Sequence, residues 1–166
     1  MYKNINIVKR SILIYINKLQ AYKTAIKNIH WSSNNMSEHK LFDDIEDAVA
    51  DVQDEIAEVA QGVYGKLKLN ELKPRRYNIS SSKKMLQDLL NDTQQFLTTL
   101  RSKELVGIKS TIEAFVGKID QFKYLLDFCL KEDLKRRIVT KINENRREHE
   151  FRKAIHEAVI KVLNKI

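Results

Sequence analysis

Between His30 and Glu58 the chain places two histidines and three carboxylates at helical spacings: His30-Trp31, then His39, Asp43, Asp54 and Glu58. The intervals after His39 are four, eleven and four residues. At about 100° per residue, these four positions fall at roughly 0°, 40°, 60° and 100° around one helix. Imidazole nitrogens beside carboxylate oxygens form a donor set that suits non-haem iron, manganese or zinc. The apolar residues of the same stretch (Leu41, Ile45, Val49, Val52, Ile56, Val59, Val63) fall between about 200° and 280° on that count. The candidate metal face is therefore expected to point away from the face that folds into the core.

Any helix of a soluble protein has a polar face, so Asp43, Asp54 or Glu58 taken singly reads as solvated surface. Three features together favour a metal. His39 lies one turn from Asp43, where both can reach one ion. Ala50 and Ala57 line the arc between the ligands and leave room for a second backbone. Finally, no Lys or Arg lies on that arc between Asp43 and Glu58, although the chain carries a net charge of +8. Carboxylates clustered without cations repel one another unless they are protonated, paired from outside or bound to a metal. Taken singly, His30 reads as a structural or surface histidine and Trp31 as packing; His149 and His156 read as surface residues. A second acidic stripe, Asp44, Asp47, Asp51 and Glu55, is either solvated surface or a patch that collects hard cations.

Long helices must position these residues. Only four Gly and one Pro punctuate 166 residues, and the 3.6-residue apolar period dominates. One helix is expected from about Asn4 to Trp31, with a core stripe of Ile5, Val8, Ile12, Tyr15, Ile16, Leu19, Tyr22, Ile26 and Ile29. Ser32-Ser33-Asn34-Asn35 supplies N-cap residues for a second, from Met36 to about Val63 and ending at Gly62 or Gly65. The stretch Tyr64 to Ser82, with Lys73-Pro74-Arg75-Arg76, is too long for an ordinary hairpin and is expected to cross the bundle. A third helix follows the Ser80-Ser81-Ser82 cap to about Ser102, carrying Met85, Leu86, Leu89, Leu90, Phe96, Leu97 and Leu100. A fourth runs from about Lys103 to Lys135, through Val106, Ile108, Ile112, Phe115, Val116, Ile119, Phe122, Leu125, Leu126 and Cys129.

The expected fold class is thus all-α: a ferritin-like four-helix bundle over residues 1–137, with a long crossover between helices two and three. Residues 138–166 form a C-terminal extension, in which Asn143 and Asn145 interrupt the pattern. A fresh apolar stripe of Phe151, Ile155, Ala158, Val159, Val162, Leu163 and Ile166 then faces Arg146, Arg147, Arg152, Lys153, Lys161 and Lys165. Residues 131–166 hold 11 Lys/Arg against 6 Asp/Glu, so most of the basic excess sits there. A single cysteine, Cys129, excludes an internal disulfide framework and fits a reducing, cytoplasmic setting. No signal peptide and no membrane-spanning run are read. Without an aromatic platform or a base-reading motif, nucleic-acid binding is at best a sequence-independent phosphate contact.

The run Lys27-Asn28-Ile29-His30-Trp31, then His39-x3-Asp43, ten intervening residues and Asp54-x3-Glu58, resembles the Dps-type mini-ferritins. The resemblance covers roughly residues 8–130. It implies a hollow homo-dodecamer with iron bound at a di-iron ferroxidase centre on each two-fold subunit interface. His30, His39 and Asp43 would come from one subunit, and Asp54 and Glu58 from its mate. Glu58 would bridge two irons and Trp31 would supply or quench an electron. Fe(II) would be oxidised by hydrogen peroxide or dioxygen, protecting against oxidative stress, and stored as ferric mineral nucleated at Asp44, Asp47, Asp51 and Glu55. Two features depart from the family. The His30-to-His39 interval is nine residues where twelve is usual, and the C-terminal helix lies outside the usual subunit. The alternative expectation is a non-enzymatic ferritin-like assembly or DNA-condensing protein, of the kind phages encode, that uses this basic helix.

Overall fold

The computed structural model describes residues 2–68, 73, 76–78, 81–100 and 105–163, with side chains described from 7 to 156 within these ranges. Four α-helices are present among the described residues, in the order α1 (Tyr2–Ser32), α2 (Met36–Tyr64), α3 (Ser82–Leu97) and α4 (Val106–Leu163). No strand is present among the described residues. The all-α expectation holds. Two compact units emerge, Met1–Asp127 and Phe128–Ile166.

Helix boundaries follow the local chemistry. Asn35 caps α2, its side-chain oxygen accepting from the Ser37 N–H, and Ser81 caps α3 by accepting from the Lys84 N–H. Gly62 stays inside α2. The helix stops at Gly65, whose φ of 77° is a backbone state that glycine adopts without a Cβ clash. The third helix ends at Leu97, earlier than its pattern suggests; the expected Ser102 end and Lys103 start lie outside the described residues. Pro74, Arg75 and Ser80, and the side chains of Ile5, Ala158, Lys161, Val159, Val162, Leu163, Lys165 and Ile166, also lie outside them.

Within the first unit, α1 and α2 form an antiparallel pair. The Gln53 amide donates to the Ile16 carbonyl at 3.2 Å near mid-helix, while His39 meets the His30 carbonyl at the turn end. Thr111 donates to Glu55, and Gly107 lies against Val59, so α4 runs antiparallel to α2. Partners of α1 on α3 move from Phe96 and Thr93 (at Tyr15) to Asp92 (at Lys18 and Tyr22), again antiparallel. The start of α3 sits beside the start of α2, where Ser82 Oγ donates to Glu38 Oε1 at 3.3 Å. Since α2 ends at Tyr64, about 40 Å from its first turn, the end of α2 and the start of α3 lie at opposite ends of the α2 axis.

The core of this unit holds Ile12, Tyr15, Leu19, Ile26, Phe42, Ile45, Ile56, Met85, Leu86, Leu89, Ile112 and Phe115, all buried. Most of the expected apolar positions are buried, with corrections. Val63, Val106 and Leu125 are exposed, whereas Phe42, Ala48 and Ala60 are buried. Val63 lies in the last turn of α2, and Val106 faces outward although its neighbour Leu105 is fully buried.

In the second unit α4 continues as helix without a break at Arg137, Asn143 or Asn145. The expected interruption and the separate extension helix after Arg137 are therefore corrected. Asparagine lowers helix propensity by only a few tenths of a kcal/mol or so. Flanking pairs at i,i+4, Arg137–Asp133, Arg146–Glu150 and Arg152–Glu148, favour the helical backbone.

Candidate metal half-site

His30 closes α1 and His39 opens α2, and the three-residue turn between the helices brings the two rings together. Their centroids lie 3.9 Å apart with the planes tilted by 38°. The Nδ1 atom of His39 lies 2.9 Å from the His30 carbonyl oxygen. An oxygen of this kind only accepts, so Nδ1–H donates, and in the neutral ring the lone pair stands on Nε2. A main-chain contact at one ring nitrogen is how metal-binding histidines are commonly oriented through the other.

His30 is 8% exposed, the most buried of the sequence-derived candidates. Its Nδ1 is buried without a hydrogen-bond partner among the described residues, and lies 3.5 Å from Asp43 Oδ1. That separation is too long for a good hydrogen bond and leaves both atoms with capacity for a shared proton, water or cation. Asp43 itself is exposed.

One turn further from the loop, Lys27 of α1 pairs with Glu46 of α2 at 2.7 Å, and the same ammonium stands 5.9 Å from the Trp31 ring centroid. The hydrogen bond to Glu46 raises the Lys27 pKa above the ordinary lysine value, with its charge adding to the effect. This cation was invisible in the α2 pattern because it comes from α1. Trp31 is 70% exposed, which corrects its reading as core packing.

Asp54 and Glu58 lie on the exposed side of α2 beyond the half-buried Ala50 and Ala57. Eleven residues of helix separate Asp43 from Asp54, about 16 Å of rise, so these two carboxylates do not meet within one chain. Among the described residues no group of three or more His, Cys, Asp or Glu side chains is placed to hold a metal ion. Asp44, Asp47, Asp51 and Glu55 are exposed, with Glu55 accepting the hydroxyl of Thr111. His149 and His156 are exposed as expected.

Sequence reasoning missed a second polar cluster, between α1 and α3. A buried hydroxyl pair joins Tyr15 to Thr93 at 2.8 Å, and Thr93 also donates to the Leu89 carbonyl at 2.6 Å. Nearby, Asp92 accepts from Lys18 and Tyr22, and Asp88 from Lys84 and Tyr77. Burial, then hydrogen bonding to the carboxylates, pushes Tyr22 and Tyr77 above the ordinary phenol value. The available signal was the i,i+4 pair Asp88/Asp92, one turn apart on a single face of α3.

Among the described residues no helix is long and apolar enough to cross a membrane. The pattern of a family described as "Family of unknown function (DUF5856)" matches residues 30–126. That stretch begins at His30 and takes in every candidate ligand. No curated protein matches the chain.

Proposed function

The chain belongs to this family of unknown function, and from the arrangement at its α1–α2 turn we propose that it is a ferroxidase and iron-storage protein of the Dps-like kind. Each subunit carries half of an inter-subunit iron site. The observation that carries this reading is the histidine pair: His39 held through Nδ1 with Nε2 available, against a buried, unpartnered His30 Nδ1 facing Asp43. Imidazole and carboxylate together suit non-haem iron.

The ligand pattern is self-complementary. A two-fold axis passing α2 between Ala48 and Val49 lies midway between Asp43 and Asp54, and midway between His39 and Glu58. Pairing two copies of α2 antiparallel about that axis sets His39 and Asp43 of one against Glu58 and Asp54 of the other. Such an isologous contact yields two identical sites. Ala50 and Ala57 allow the close approach this needs. The start of α3 beside the start of α2 supports the ferritin-like topology, in which this face of α2 is free for assembly.

In this site the carboxylates offset the charge of Fe(II), which is substrate, and His30 and His39 fix its position. Glu58 serves two irons, and Trp31, close to His30 in sequence and exposed, stands ready to exchange an electron. Hydrogen peroxide or dioxygen accepts the electrons, and ferric ion moves on to the Asp44, Asp47, Asp51 and Glu55 stripe in a shell of twelve subunits.

The test follows aerobic Fe(II) oxidation by absorbance in wild type, Glu58→Ala and His39→Ala/Asp43→Ala, with native mass measured alongside. Loss of oxidation in both variants with assembly retained is expected; equal rates in all three remove the site. A second reading, a non-enzymatic assembly or DNA-condensing protein, is favoured by the exposed apolar side chains of the second unit. Leu134, Ile138, Ile142, Phe151 and Ile155 lie uncovered among cations there.

A further inference from the structure

The groove between α1 and α3 holds a second constellation, on residues the iron reading does not use. The rings of Tyr22 and Tyr77 lie with centroids 4.8 Å apart and planes tilted by 39°. Each phenol donates to its own carboxylate, Tyr22 to Asp92 Oδ2 at 2.9 Å and Tyr77 to Asp88 Oδ2 at 2.6 Å. Lys18 takes the other oxygen of Asp92, at 2.6 Å, so the Tyr22 contact keeps an oxygen to itself. A cavity of about 410 Å³, lined also by Arg76, opens beside the two rings. Tyr22 is buried and Tyr77 half-buried.

From these contacts we propose that Tyr22 and Tyr77 form an oxidative modification site, in which two one-electron oxidations join the rings as an intrachain dityrosine. Each phenol gives one electron to a one-electron oxidant and its O–H proton to the carboxylate it already bonds. The two neutral phenoxyl radicals then couple in a carbon–carbon bond between ring positions ortho to the hydroxyls. The hydrogens on the coupled carbons move to the oxygens and restore both aromatic rings. Two electrons and two protons leave in all, to two equivalents of oxidant and, through Asp92 and Asp88, to solvent.

The carboxylates decide which tyrosines react. Removing proton and electron together avoids a cationic radical in a partly desolvated groove, where an unpaired charge is costly. Tyr15 has no such base, since its hydroxyl meets the Thr93 hydroxyl in the core. The staple would fasten the connection between α2 and α3, which carries Tyr77, to the middle of α1. Closing so long a loop removes freedom from the unfolded chain.

The experiment uses dilute, metal-free protein and photo-oxidation by ruthenium tris-bipyridyl with persulfate, read by dityrosine fluorescence and peptide mass. A linked peptide pair containing residues 22 and 77, on chains of monomer mass, is expected. Tyr22→Phe and Tyr77→Phe should each abolish that pair, and Asp92→Asn, with folding checked by circular dichroism, should lower its yield severalfold. Oxidation at exposed Tyr124 and Trp31 without any linkage between 22 and 77 overturns the proposal, as does full yield in Asp92→Asn. No iron is added, so the outcome is independent of whether the half-site binds metal.

Discussion

His39 reaches back across the α1–α2 turn and places its Nδ1 2.9 Å from the main-chain oxygen of His30. One contact therefore closes the turn and sets the orientation of a candidate ligand. Replacing His39 by Ala removes a part-buried hydrogen bond and is expected to cost about 1 kcal/mol. Its effect on metal affinity should exceed the roughly 10–100-fold that follows loss of a residue merely hydrogen-bonded to a ligand. Urea unfolding and Co(II) titration of the same variant separate the two; unchanged Co(II) affinity would argue against His39 as a ligand.

Assembly is the stronger test of the two-fold arrangement. Ala50 lies half-buried on the ligand arc of α2. Ala50→Arg should leave the helical content and the melting temperature of the isolated subunit close to wild type, because surface changes usually cost under about 0.5 kcal/mol. The native mass should nevertheless fall below that of the wild-type assembly. Retention of the wild-type assembly would exclude close contact at this face.

The buried hydroxyl pair makes an asymmetric prediction. Thr93→Val leaves the Tyr15 hydroxyl buried without its partner and is expected to cost about 1–3 kcal/mol. Tyr15→Phe costs less, about 1 kcal/mol, because Thr93 still donates to the Leu89 carbonyl. Denaturant unfolding of both variants and of the double mutant measures the difference, and a reversed order would remove the pair from the core's polar account.

Stability should fall at both pH extremes for named reasons. The Lys84 ammonium, then the Tyr77 hydroxyl, hold the Asp88 carboxyl below the ordinary carboxylate range. A depressed folded pKa gives a contribution that is present above the unfolded value of about 3.9 and is lost as pH falls through the folded one. Tyr77→Phe should move the Asp88 carboxyl up towards that value in a carbon-13 titration.

At high pH the sign reverses. Tyr15, Tyr22 and Tyr77 are raised, chiefly by burial. Their contribution is whole below the unfolded value of about 10 and is lost as pH rises towards the folded ones. Phenolate absorbance before unfolding should therefore fall short of the six tyrosines in the chain.

Much of this molecule was legible in the residue pattern. The apolar period located α1 and α2 to within two or so residues, and the Asn35 and Ser81 caps lay inside the polar clusters assigned to them. The outward direction of Asp43, Asp54 and Glu58 followed from the same wheel, because a helix's own core stripe decides its exposed side. Lys27 was not legible at the site, since it enters from α1, and the weak propensity of Asn143 and Asn145 does not break α4. Nor was the Tyr22–Tyr77 groove, whose members come from separate segments.

The sequence by itself determined an all-helical chain and the spacing of His39, Asp43, Asp54 and Glu58, because periodicity and ligand intervals are local properties of one helix. Only the tertiary structure decided that His30 is buried against His39, its Nδ1 without a hydrogen-bond partner among the described residues. It alone placed Trp31 in the open and set two tyrosines on two carboxylates. These facts depend on which helices pack together and at what register, and that is a contest among many weak contacts that no single segment encodes.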